Sequence, residues 1–197
     1  MTEQATELSR DAAWRIVTEF IQSESLRRHC LSVETAMRAY ARHFGESEND
    51  WGLVGLLHDF DYEIHPTLDK HPQDGVPILQ ARGYPDWVIR GILSHADHLE
   101  LPRESKMELT LAAVDELTGF IAAVAFVRPS KAVRDVTPQA VRKKIKDKAF
   151  ARAISREEML ATAAALGVDF DEHVQFVIDA MAANAEALGL AGVSASA

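Results

Sequence analysis

Cysteine is almost missing from this chain. Cys30 stands alone among 197 residues, so no internal disulfide can form, which fits a reducing compartment. Also missing is any uninterrupted apolar run of about 18 residues, the length that spans a bilayer. The opening MTEQATELSR lacks the basic-then-apolar pattern of a secretory signal. Together these absences predict a cytoplasmic protein with no membrane partner. Positive charge is in deficit too. The net charge of −9 argues against stable nucleic-acid binding. Finally, the period-two alternation of half-buried strands is scarce.

What is present is apolar spacing at helical period nearly everywhere, in a chain that is 47% hydrophobic and 26% charged. That is enough to build one core without staples. The pattern predicts an all-α single domain of roughly nine helices. Leu8 to Gln22 reads as the first, with Trp14, Val17 and Ile21 on one face. The second runs from Glu24 to Phe44 and stops at Gly45. Asp50 would cap a third, Trp51 to about His58, and residues 60–73 form a loop. Asp74 would cap a short helix that ends at Gly83. Pro85 opens the next, to about Ala96. A long apolar helix spans Glu104 to Val127. Thr137-Pro138 marks another start, and Ser155 with Glu158 matches a capping box. The last helix is expected from Asp169 to Leu188, before a frayed VSASA tail.

The stretch LLHDFDYEIH, residues 56–65, is the first sign of chemistry. A hydrophobic helix end runs straight into imidazoles and carboxylates, whose burial costs several kcal/mol each unless something pairs with them. A bound cation is one answer. His58 and Asp59 could hold an ion between them, or serve as a helix-end histidine beside a turn aspartate. His29 lies on a partly apolar face, as a ligand or as a core histidine bonded to a carbonyl. His71 stands in KHPQDG, His95 in ILSHADH. Asp115 sits mid-helix in LTLAAVDELTGF, on the polar stripe or as a buried ligand. Imidazole with carboxylate suits Mn, Fe, Ni, Co or Zn better than Ca. Cys30 diverges from its neighbour His29 and is expected in the core.

His29, then His58-Asp59, then Asp115 on a helical chain resembles the HD-domain superfamily of metal-dependent phosphohydrolases, over roughly residues 24–130. HPQDGVPIL, residues 71–79, is similar to the HPxxGxxIL segment of the HD-GYP and HDIG branches. ILSHAD, residues 92–97, falls where those branches place another histidine. The VDELTGFIAA and VRPSK phrases resemble those of bacterial HDIG-type proteins of unassigned substrate. The glycine that follows HD-I in HDIG sequences is missing, because this chain reads His58-Asp59-Phe60-Asp61. The GYP signature is absent.

The resemblance implies residues 1–23 as an N-terminal helix, 24–135 as the metal-binding core and 136–197 as helices completing the same domain. It implies one or two divalent ions held by His29, His58, Asp59, His71, His95 and Asp115, with Asp59 as the bridge. His65 competes with His71, which is preferred because Pro72 and Gly75 match the family phrase. A metal-activated water would cleave a phosphoester of a nucleotide or other small phosphorylated metabolite, with Asp59 catalytic and Asp61 or His98 helping to move protons.

Phosphate binding falls to Arg128 and Lys131. They open a stretch, residues 128–152, in which nine Lys/Arg stand against two Asp, a local +7 that leaves −16 elsewhere. Two other readings stay open. One is an HD-type di-iron oxygenase acting on a small polyol or phosphonate, and the other a non-catalytic nucleotide sensor. The C-terminal helices complete the core, with His173 packed or on the surface, and leave room for a homodimer.

Overall fold

The computed structural model describes residues 8–193, and among these every named element is helical. The helices are α1 (Arg10–Phe20), α2 (Glu24–Phe44), α3 (Glu48–Leu57), α4 (Val76–Ala81), α5 (Asp86–Leu93), α6 (Lys106–Phe126), α7 (Pro138–Ile145), α8 (Arg156–Leu166) and α9 (Phe170–Ala183). Short 3-10 turns stand at Gln73–Gly75, Asp97–Leu99 and Val133–Asp135. The opening MTEQATE and the last four residues of the expected tail lie outside the described residues.

Two helices are apolar on nearly every side and therefore lie inside. Residues 51–57 of α3 are all buried, as are Leu111 to Val114, Leu117, Phe120 and Ile121 of α6. α2 packs on both, α1 covers α3, and α8 and α9 close over α6. Length and composition would allow α6 to cross a membrane, at a mean hydropathy of 1.7, but 61% of that window is buried inside the protein. Its apolar faces are already used by the core. The Glu34 carboxylate, buried on α2, binds Arg10 Nε at 2.7 Å and Arg38 Nε at 2.9 Å, which ties α1 to the bundle.

α2 has the expected bounds because both ends are stopped locally. Ser23 Oγ accepts from Leu26 N, and Gly45 takes the left-handed conformation at φ 72° that glycine adopts without steric cost. Elsewhere the ends differ, with physical reasons. α3 starts earlier because Ser47, not Asp50, is the cap; Asp50 N donates to Ser47 Oγ. α5 ends at Leu93, not near Ala96. The Ser94 hydroxyl donates to Gly91 O and the His95 ring to Ile92 O, so side chains occupy the last turn's carbonyls. α9 stops at Ala183. The chain then doubles back, and Val133 N donates to Leu190 O at 2.9 Å.

Candidate metal centre

Six side chains from five places in the fold converge. His29 is on α2, and Asp115 midway along α6. His58 and Asp59 follow the last residue of α3. His71 lies in the turn before α4, and His95 just beyond α5. His58, His71 and His95 are all buried. They form two sets, His29 with His58 and Asp115, and Asp59 with His71 and His95.

In the first set, His29 Nε2 lies 3.2 Å from His58 Nε2 and 3.0 Å from Asp115 Oδ1. In the second, His71 Nε2 lies 3.2 Å from His95 Nε2. Asp59 faces both. Its Oδ2 is 3.5 Å from His58 and 3.7 Å from His29; its Oδ1 is 3.2 Å from His71 and 3.6 Å from His95. Ligands about 2.0–2.2 Å from a transition-metal ion stand roughly 2.8–3.6 Å from one another at octahedral to tetrahedral angles, which matches every separation but the 3.7 Å between His29 and Asp59.

The tautomers strengthen the fit. The far nitrogen of three rings is already engaged: His58 Nδ1 with Gly55 O at 2.8 Å, His95 Nδ1 with Ile92 O at 2.5 Å, and His71 Nδ1 with Asp61 Oδ1 at 2.9 Å. Carbonyls and carboxylates accept, so these Nδ1 atoms carry the hydrogens and Nε2 presents its lone pair inward. Lone pairs facing one another at 3.2 Å repel unless a positive centre, proton or metal ion, sits between them. The donor set fits a borderline divalent ion.

The same crowding shapes the titration. Burial opposes charge on His58, but the Asp59 and Asp115 carboxylates win and raise its pKa well above the ordinary value. Burial likewise opposes the Asp59 and Asp115 anions. His58 foremost, with His71 and His29, nevertheless holds Asp59 far below the usual carboxylate range, and His58 with His29 does the same for Asp115. His71 is pushed up to about 9, against its burial, by Asp59 and Asp61. His95 is lowered by burial and by its cationic neighbour His58.

Asp61 is wholly buried and accepts from His71 and, at 3.1 Å, from His65. It does not line the cavity over the metal centre, so it orients ligands and has no open path to a substrate. His65 reaches Asp61 and stays outside both ligand sets, and His71 takes the place in the second set. Gly75 explains its place in the HPQDG phrase. A Cβ there would meet Asp61 Cγ at 2.8 Å, so only glycine lets the chain close over that carboxylate. Glu63, also from the opening stretch, accepts from Gln22 N and Ser23 N at 2.6 and 2.7 Å.

A cavity of about 550 Å³ opens onto the metal centre; its lining includes His29, Asp59, His71, His95 and Asp115 together with Asp97, His98, Glu116, Glu158, Tyr62 and Leu68. His98 is exposed at its rim. Neither Arg128 nor Lys131 is there. α6 rises 1.5 Å per residue, so its last residue, Phe126, lies about 16 Å along the axis from Asp115, and Arg128 follows beyond the helix end. The helix carries both side chains away from the site, which corrects their expected role as phosphate ligands at this cavity. The basic residues of α7 do not line it either: Arg142 pairs with Asp171, and Lys144 lies over the Phe150 ring.

Two residues that the sequence reading missed do line the cavity. Glu158 fulfils only half of the expected capping box. Its N–H donates to Ser155 Oγ, but the residue lines the cavity together with Asp97. Burial, with Asp97 and Asp115, pushes Glu158 up to about 6; burial, with Asp115 and Glu158, pushes Glu116 up to about 7. Glu116 gave one signal, its place beside Asp115. Two expectations about nearby residues agree with the structure. Cys30 is a buried core thiol, pushed up to about 12 by burial, and His173 is packed inside.

The family model described as HD domain matches residues 26–164. No curated protein and no solved structure matches the chain.

Proposed function

The chain belongs to the HD-domain family, generally metal-dependent phosphohydrolases, and we propose that it hydrolyses a phosphoester of a small phosphorylated metabolite, a nucleoside monophosphate among the candidates. The observation that carries this reading is the pair of ligand sets sharing Asp59, each with imidazole lone pairs turned to a common centre. One or two divalent ions held there, of Mn, Fe, Ni, Co or Zn character, supply Lewis acidity to water and to phosphoryl oxygens.

Hydrolysis adds water across one P–O bond, and the leaving oxygen gains a proton. The chain's own residues divide that work. His29, His58 and Asp115 form one ligand set, His71 and His95 the other, and Asp59 spans the two. Gly55 O, Ile92 O and Asp61 fix the rings that face inward, so the site is organised before substrate arrives. His98, exposed at the rim, exchanges the proton with the leaving group. The all-helical core and the single buried thiol accord with a cytoplasmic enzyme.

Elemental analysis of protein purified without added metal, followed by a screen of phosphomonoesters, mono- and dinucleotides with Mn, Ni, Co and Fe, tests the reading. It expects bound transition metal and turnover of a monoester. A metal-free protein that no added ion activates contradicts it. A second reading is an HD-type di-iron oxygenase acting on a polyol or phosphonate, and for a neutral polyol it draws support from a cavity lining with no lysine or arginine among the described residues. It requires iron as the bound metal and oxygen uptake with substrate.

A further inference from the structure

The cavity that opens onto the metal centre is rich in carboxyl groups. Asp97, Glu116 and Glu158 line the same cavity, and no lysine or arginine lines it. One cation reaches these residues from behind. Arg103 pairs with Asp97, while its other contacts go to the carbonyls of Ser94 and His95. Glu158 lies against Asp97, carboxyl to carboxyl. Among the described residues, neither Glu116 nor Glu158 makes a salt bridge to any basic side chain. Tyr62, 45% exposed, adds an aromatic surface to the lining.

Such a lining opposes a second anion. A substrate whose phosphoryl group sits on the metal centre, and which carries further phosphates, would press those phosphates toward Glu116 and Glu158. A group that donates hydrogen bonds and bears positive charge would instead bridge Glu158 and Asp97 and relieve their contact. Tyr62 would accept the same cation against its ring face.

We propose that the substrate is a phosphomonoester whose alcohol part carries an ammonium group, recognised by the carboxyl groups of Glu158, Glu116 and Asp97 in the lining of the cavity that opens onto the metal centre. The proposal rests on the phosphoester reading above and narrows it: the metal centre takes the one anionic end, and these carboxyl groups take the cationic end. Glu158 is thereby a specificity residue, presented by the first turn of α8.

The test compares two esters of matched size, phosphoethanolamine and propyl phosphate, by calorimetric titration into the Mn-loaded full chain. Phosphoethanolamine is expected to bind about tenfold or more tightly, the scale of one charge-assisted hydrogen bond. In Glu158→Gln, with the bound metal checked by elemental analysis, the ratio between the two esters is expected to fall towards one. Equal binding by the unmodified chain, or a preference for propyl phosphate, overturns the proposal and leaves the phosphoester reading standing. Failure of both esters to bind a chain that holds its metal overturns both.

Discussion

The two ligand sets are built differently. His29, His58 and Asp115 come from α2, the end of α3 and the middle of α6, and α2 packs directly on both of the others at the centre of the bundle. Any sequence that folds this core places those three side chains. His71 and His95 come from turns, and the His71 ring is held by one side chain, Asp61, under the close approach of Gly75. The first set thus inherits its rigidity from core packing, while the second depends on a local hydrogen bond. Outer contacts of this kind typically contribute 10–100-fold in metal affinity. An ion held by the second set would therefore be the more easily lost.

That comparison can be broken in graded steps. Asp59→Ala removes the one residue that faces both sets, so it should cost both ions their tightest retention and reduce activity to background, read by elemental analysis and turnover. Asp61→Ala comes next. It should lower affinity for one of two ions by about 10–100-fold while the other stays bound, seen as two separated steps in a chelator titration. Simultaneous loss of both ions would show that the sets are not independent. Gly75→Ala should repeat the Asp61 pattern in weaker form, because its new Cβ meets Asp61 Cγ at 2.8 Å and displaces the carboxylate without deleting it.

The smallest effect lies away from the metal. Burial holds His173 neutral, with a pKa below its ordinary 6.5, between Tyr40 OH at 2.6 Å and Ala113 O at 3.0 Å. The unfolded chain takes up this proton first as pH falls. The contribution of His173 to stability is therefore whole above about pH 6.5 and drains away below it as the folded value is approached. In His173→Gln, the drop in Tm between pH 7 and pH 5 should be shallower than in the parent chain. An identical slope would remove His173 from the account.

Legibility in the sequence followed the range of the forces involved. α2 could be read to the residue because Ser23 and Gly45 stop it locally. The six converging residues could be read because they stand out against apolar surroundings and resemble a known spacing. Glu158 could not. Ser155 and Glu158 match a capping box, and nothing local reveals that Glu158 lines a cavity with Asp97, sixty-one residues earlier. Arg128 failed for the opposite reason: nearness in sequence to Asp115 suggested nearness in space, and the helix from Asp115 to Phe126 turned that interval into distance. α9 was read too long because Leu188 and Leu190 continue the apolar pattern while serving the returning strand-like segment.

The central claim is that four imidazoles and two carboxylates surround shared divalent ions. Its most direct measurement is the metal content of the purified chain beside that of His58→Ala, with folding verified by circular dichroism. The account predicts transition metal bound to the parent and largely absent from a still-folded variant. A folded His58→Ala protein that retains the parent's full metal complement would contradict it.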